Sequence, residues 1–205
     1  MASSLFWILL SLALYGGVHS LLASHHVKAL ACRWGGAAAR RLYRLFFNLF
    51  GAISFLPVLA LVAALPDRPI YSVSFPWSLL FRAGQMLAVV GLAAGVLETD
   101  VWAFAGLSQA AGREDTLCSP EARRRDGSLV TGGLYRYVRH PLYFFGLVFL
   151  WLSPTLSWNT LALDLGVTAY IWIGATLEER KLLVEVGPAY EAYRKKTPML
   201  IPGVK

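Results

Sequence analysis

The sequence predicts an all-α integral membrane protein of five transmembrane helices, with its N-terminus outside and its C-terminus in the cytoplasm. Three observations carry this. Hydrophobic residues make up 57% of the 205 and charged residues 15%, against about half and about a quarter in an ordinary globular domain. Five apolar runs, at 5–24, 43–65, 79–97, 142–158 and 160–177, reach or approach the ~20 residues that cross a ~30 Å hydrocarbon core. All but two of the 19 Lys and Arg residues fall in alternate loops, and excess positive charge marks the cytoplasmic side.

The first run has no Lys or Arg before it and no small-residue cleavage pattern after it, so it reads as a retained helix and not a signal peptide. Lys28, Arg33, Arg40, Arg41 and Arg44 follow it. The second run ends at an outer loop whose only positive residues are Arg68 and Arg82. The third run carries Gly84, Gly91 and Gly95, a small-residue face for close helix packing. That face fits a compact bundle or a homodimer equally well.

Segment 98–140 is broken by Gly and charge and has no sustained periodicity, so it reads as a cytoplasmic loop. It carries Arg113, Arg123, Arg124, Arg125, Arg136 and Arg139. The fourth and fifth runs form a hairpin closed at about Ser153–Asn159 around Pro154. The tail ends the chain with Arg180, Lys181, Arg194, Lys195, Lys196 and Lys205. The whole, 1–205, is one domain: three N-terminal spans (1–97), a loop (98–140), and a hairpin with a C-terminal helix (141–205).

Basic loops against an anionic leaflet account for the net charge of +7, so membrane lipids, and no nucleic acid, are the expected partners. Trp77, Trp151 and Trp158 fit an outer aromatic belt. Cys32 and Cys118 have neither CxxC nor His/Cys spacing, which leaves them plain thiols and gives no metal site. Asp164, one turn inside the fifth span, is expected to be structural, with Arg82 as the available partner.

The stretch Tyr135–Gly146, YRYVRHPLYFFG, loads charge onto the start of the fourth span, where Pro141 suits the first turn of a helix. The short hairpin makes spans four and five antiparallel neighbours. Glu178 and Glu179 of ATLEERKLL therefore come to the depth of Arg139 and His140. An Arg–Glu pair closing the hairpin is the plain reading. Against it, ionisable groups near membrane depth are costly and usually functional. This set matches a ligand with an ammonium, a carboxylate and an apolar body, a description that S-adenosylmethionine fits.

GGLYRYVRHPLYFFG, a short-looped hairpin and LEERKLLVEVGPAYEAYRKKTPMLIP together resemble the isoprenylcysteine carboxyl methyltransferase and phospholipid methyltransferase superfamily of integral-membrane enzymes, over about residues 131–202. GGVHSLLASHHVKAL, RRLYRLFFNLF and FAGLSQ are similar to its methanethiol S-methyltransferase-like branch. The resemblance implies that S-adenosylmethionine binds at Gly133, Leu134, Tyr135, Arg139, His140, Pro141, Tyr143, Glu178 and Glu179. It also implies a C-terminal helix covering the cofactor through Tyr190, Tyr193 and Arg194. The implied activity is methyl transfer to a small or lipid-like acceptor, with a small or lipophilic thiol first, a prenylcysteine carboxylate second and a phospholipid amine third.

A thiol acceptor needs a base or a positive field to become the thiolate. Arg139, His19 and Arg44 are the catalytic candidates. His19, beside Ser20 at a helix end, is more often a structural hydrogen-bonder than a base in such a position. His25 and His26 are expected to be solvated. Glu98 and Asp100 either orient Arg139 or an incoming nucleophile, or cap an interfacial helix. The rival of another class is a non-enzymatic transport or assembly protein, disfavoured by the absence of an intramembrane ionisable relay or a repeat of broken helices.

Overall fold

The computed structural model describes residues 2–112 and 129–204. Arg113, Arg123, Arg124, Arg125, Cys118 and Lys205 lie outside them. The order is α1 (Ala2–Ala23), α2 (His25–Ala64), β1 (Pro69–Ser72), α3 (Ser78–Leu97), α4 (Val101–Ala105), α5 (Leu107–Ala110), a 3-10 turn (Gly133–Arg136), α6 (Pro141–Trp151), β2 (Thr155–Ser157), α7 (Trp158–Val186) and α8 (Pro188–Lys196).

Among the described residues, four helices are long and apolar enough to cross a membrane: α1, α2, α3 and α7. The fourth of the five expected spans is instead a shorter apolar helix, below that length. Run 142–158 is the 11-residue α6 followed by strand β2, and eleven residues rise only ~16 Å, about half a bilayer core. Pro154 is the cause. The residue before a proline is pushed out of the helical region, so the helix stops at Trp151 and the chain runs on extended. Among the described residues the chain is all-α apart from one short pair of strands. β2 pairs antiparallel with β1, and Val73 N donates to the Pro154 carbonyl at 2.8 Å.

A polar staple fixes this end of the bundle. The Asp67 carboxylate accepts from the N–H groups of Arg68 (2.8 Å) and Asn159 (3.0 Å). The fully buried Asn159 amide reaches the carbonyls of Val62 and Leu65. Desolvation pushes the Asp67 carboxyl up, and the Ser157 hydroxyl with the N–H groups of Asn159, Arg68 and Trp158 pulls it back below its ordinary value. Asp164 is buried on α7, as a structural residue should be, but among the described residues no ion pair joins it to Arg82.

The core lies between α1, α2 and α7, where Ile8, Leu12, Val58, Ala162 and Leu163 meet. α2 is two helices joined at Gly36, whose φ of 53° lies in the left-handed region that glycine tolerates. Its first part is the basic segment beginning at His25.

The small-residue face of α3 is filled from within the chain. A Cβ on Gly91 would come to 2.4 Å from the Phe145 ring, one on Gly84 to 2.6 Å from Leu152, and one on Gly95 to 3.0 Å from Leu142. Short α6 is thus held on α3 by close approach. Gly91→Val is expected to force Phe145 aside at a cost of ~1–3 kcal/mol, read as a lower melting temperature in detergent. An unchanged melt would mean that α6 does not depend on that contact.

Candidate active site

The chain enters α6 in an extended stretch held by the tail. Arg139 N donates to the Pro198 carbonyl at 2.9 Å and His140 N to that of Met199 at 3.2 Å. Pro141 takes the first helical position, where a missing N–H is tolerated. α7 runs beside it in the opposite direction and carries Glu178, half-buried, and Glu179, buried, at adjacent positions. α8 then turns back at Gly187, whose φ of 69° permits the reversal.

These elements bring together what the sequence separates by about forty residues. Arg139, 9% exposed, gives its Nε to Glu179 Oε1 at 2.5 Å and its Nη1 to the carbonyls of Arg194 (3.1 Å) and Thr197. It clamps α7 to the end of α8. Arg194 approaches the other Glu179 oxygen at 3.4 Å. Both charges of the central pair are buried, a costly arrangement unless the geometry is good and the remaining hydrogen-bonding groups are satisfied.

His140 stacks on Tyr143 with ring centroids 5.3 Å apart. Its Nδ1 lies 3.7 Å from Glu178 and its Nε2 3.5 Å from Glu179, and the buried Nε2 makes no hydrogen bond. Tyr143 donates to Glu178 at 3.0 Å. On α8, Tyr193 donates to the Tyr135 carbonyl at 2.5 Å, while the fully buried Tyr190 hydroxyl has no partner. Burial raises both phenols, and the Glu179 carboxylate raises Tyr190 further, so Tyr190 remains a donor with no acceptor.

Glu98 supports the 3-10 turn. Its two oxygens accept the Leu134 N–H at 3.0 and 2.9 Å. Gly133 adopts φ +55°, and a Cβ there would lie 2.1 Å from Glu98 Oε1. Glu98 therefore holds Leu134 and does not orient Arg139. Asp100 caps α4, accepting from the N–H groups of Trp102 and Ala103. Capping is one of the two roles expected of Asp100, whereas the Glu98 partner was not legible in the sequence, because Leu134 lies beyond segment 113–128.

Tyr135, Arg139, His140, Pro141, Tyr143, Glu178, Tyr190 and Tyr193 all border one cleft of about 490 Å³, mouth included. Gly133 and Leu134 stand behind it, and Glu179 and Arg194 lie in the clamp. His19 and Arg44 are elsewhere, on a second cleft of about 1320 Å³, mouth included. The two clefts share Tyr143, Glu178 and Leu182. In the second, the His19 ring packs on Phe47 at 4.4 Å, and Arg44 Nε donates to the Phe104 carbonyl at 3.2 Å. His25 and His26 are exposed, as expected, and His25 reaches the rim. Sequence reasoning missed Gln109 and Asn48, which also face this cleft. An amide within an apolar stretch was the available signal.

S-adenosylmethionine presents an ammonium, a carboxylate and a sulfonium. A partly exposed carboxylate (Glu178), an unbonded imidazole nitrogen (His140), an unpartnered hydroxyl (Tyr190) and stacked aromatic rings fit an ammonium, a carboxylate and a sulfonium. The residues fit the group.

Comparison with known proteins finds relatives named as methyltransferases. The chain is 42% identical over 69 residues to methanethiol S-methyltransferase 2 of Bradyrhizobium diazoefficiens, covering 34% of this chain and 27% of that one. It is 39% identical over 85 residues to protein-S-isoprenylcysteine O-methyltransferase of Schizosaccharomyces pombe, covering 39% and 35%. It is 28% identical over 188 residues to nurim of Pan troglodytes, covering 86% and 67%. The chain spans between 24% and 50% of the length of the methanethiol S-methyltransferases it matches. No solved structure matches it. The model of the family described as protein of unknown function DUF1295 matches residues 23–197. The chain belongs to the DUF1295 family, in the methanethiol S-methyltransferase-like branch of the isoprenylcysteine and phospholipid methyltransferase superfamily.

Proposed function

We propose that this multi-pass membrane protein is an S-adenosylmethionine-dependent methyltransferase whose acceptor is a small or lipophilic thiol. The observation that carries the reading is the cluster of buried Arg139, His140 and Glu179 with half-buried Glu178 under α8, bordered by Tyr143 and Tyr190. An isolated hairpin-closing pair would explain Arg139 with Glu179. It would leave the Tyr190 hydroxyl, which has no hydrogen-bond partner among the described residues, without a purpose, and buried polar groups without partners are costly.

In this reading Glu178 holds the ammonium, His140 the carboxylate, and the Tyr143 and Tyr190 rings face the sulfonium. Arg139 and Glu179 position His140 and α8. When bound, the cofactor supplies an activated methyl group: its C–S bond breaks as one forms to the acceptor sulfur, leaving a neutral thioether and releasing the thiol proton. The protein's own work is alignment and exclusion of water. Basic residues at the α8 end of the molecule support a cytoplasmic site and C-terminus, with the N-terminus outside.

A prenylcysteine carboxylate is the second reading, favoured by the Schizosaccharomyces relative. Protein in lipid, given methyl-labelled S-adenosylmethionine with thiols, prenylcysteine and phospholipids, is the test. Label in volatile or extracted thioethers is expected. Label in a prenylcysteine methyl ester or a phospholipid would move the acceptor to the second or third class. No transfer at all would overturn the enzyme reading.

A further inference from the structure

The wall of the second cleft is built in a way that packing alone does not require.

Gln109 is 1% exposed, and among the described residues neither its Nε2 nor its Oε1 has a hydrogen-bond partner. An unpaired buried amide is destabilising. Its position is fixed. Gly106, with φ 88°, lets the α4–α5 corner lie on the backbone of α2, where a Cβ would come to 2.5 Å from Leu45 N. Arg44 and Asn48 of α2 both donate to the Phe104 carbonyl of α4. That bond uses one of the five donors of the Arg44 guanidinium, and Arg44 borders the cleft beside Gln109.

Lys28, Arg40 and Lys181 add positive charge to the same wall, and Glu185 opposes them. Glu178, the other acidic residue there, is bonded to Tyr143 and lies near His140. Phe47, Leu177 and Leu182 supply an apolar surface, and Leu182 leads back to the first cleft.

We propose that this second cleft receives the methyl acceptor, and that the acceptor is a thiol whose apolar body ends in an anionic group held by Gln109 and Arg44. The inference rests on the methyltransferase reading. It adds the acceptor's chemical class and two residues that recognise it. The thiol end lies toward Tyr143, where the clefts meet, and the anionic end toward α2 and α5.

The test uses the full chain in lipid nanodiscs with two probes of equal length, octanethiol and its carboxylate-ended counterpart mercaptooctanoate. Products are identified by mass, and cofactor affinity is measured separately by calorimetry. The wild type is expected to prefer mercaptooctanoate at least tenfold in kcat/KM and to methylate it on sulfur. Gln109→Leu and Arg44→Gln are expected to raise its KM about tenfold, erase the preference, and leave the cofactor Kd within twofold. That unchanged Kd also shows that both variants are folded.

Equal use of the two thiols with normal cofactor binding would overturn this inference alone. So would methylation on the carboxylate, which would make the anion the nucleophile. Weakened cofactor binding in Gln109→Leu would assign the second cleft to the cofactor. Absence of both binding and transfer in the wild type would overturn the methyltransferase reading itself.

Discussion

Glu179→Gln is expected to cost ~3–5 kcal/mol of stability, because it leaves the Arg139 guanidinium buried and uncompensated. The side chains of the pair are 8% and 6% exposed and meet at 2.5 Å, so solvent screens little of the loss. For a chain of this length that is a fall on the order of 10 °C in melting temperature, measured in detergent. Cofactor binding is expected to disappear with it, because α8 loses its anchor. Glu178→Gln separates the two roles. Its side chain is 24% exposed and its bond is to the Tyr143 hydroxyl, which an amide oxygen also accepts. This variant should melt near the wild-type temperature and bind S-adenosylmethionine at least tenfold more weakly. A Glu179→Gln melt equal to the wild type would show that the clamp does not hold α7 to α8.

Gly133→Ala is the second large effect. Two separate causes act on it: a φ of +55°, and a Cβ position 2.1 Å from the Glu98 carboxylate. A non-glycine residue at positive φ costs of order 1–3 kcal/mol, and Glu98 must also swing off the Leu134 N–H. The turn that presents Tyr135 and the following Arg139–His140 stretch then shifts. At least a tenfold loss of cofactor affinity is expected, measured by calorimetry. Glu98→Ala in the same chain removes the collision. The double variant should therefore be less impaired than the sum of the singles. Strict additivity would place Gly133 and Glu98 in separate roles.

Much of the site was legible because two facts suffice to assemble it. A short loop after α6 forces α6 and α7 to be antiparallel, and paired carboxylates stand in α7 at the depth of Arg139 and His140. The length of α6 was not legible. Hydropathy over 142–158 is continuous, and only the register of Pro154 and the pairing of Thr155–Ser157 with Pro69–Ser72 convert its last third to strand. The small-residue face of α3 was visible, but its partner was not, because nothing in one sequence says that Phe145 and not a second copy fills it.

The second cleft was the least legible. His19, Arg44 and Gln109 sit in α1, α2 and α5 and come together only through tertiary packing. Gly106 was the clue to α5. Its left-handed conformation lets the corner lie flat on α2, and a positive φ cannot be read from a glycine in isolation.

The central claim is that the Arg139, His140, Glu178 and Glu179 cluster is a cofactor site. Calorimetric titration of S-adenosylmethionine into the wild type and His140→Ala, side by side in nanodiscs and with matched melting curves, tests it most directly. Saturable one-to-one binding in the wild type and none in the equally folded variant is the result this account predicts. Equal binding by both, or none by the wild type, would contradict it.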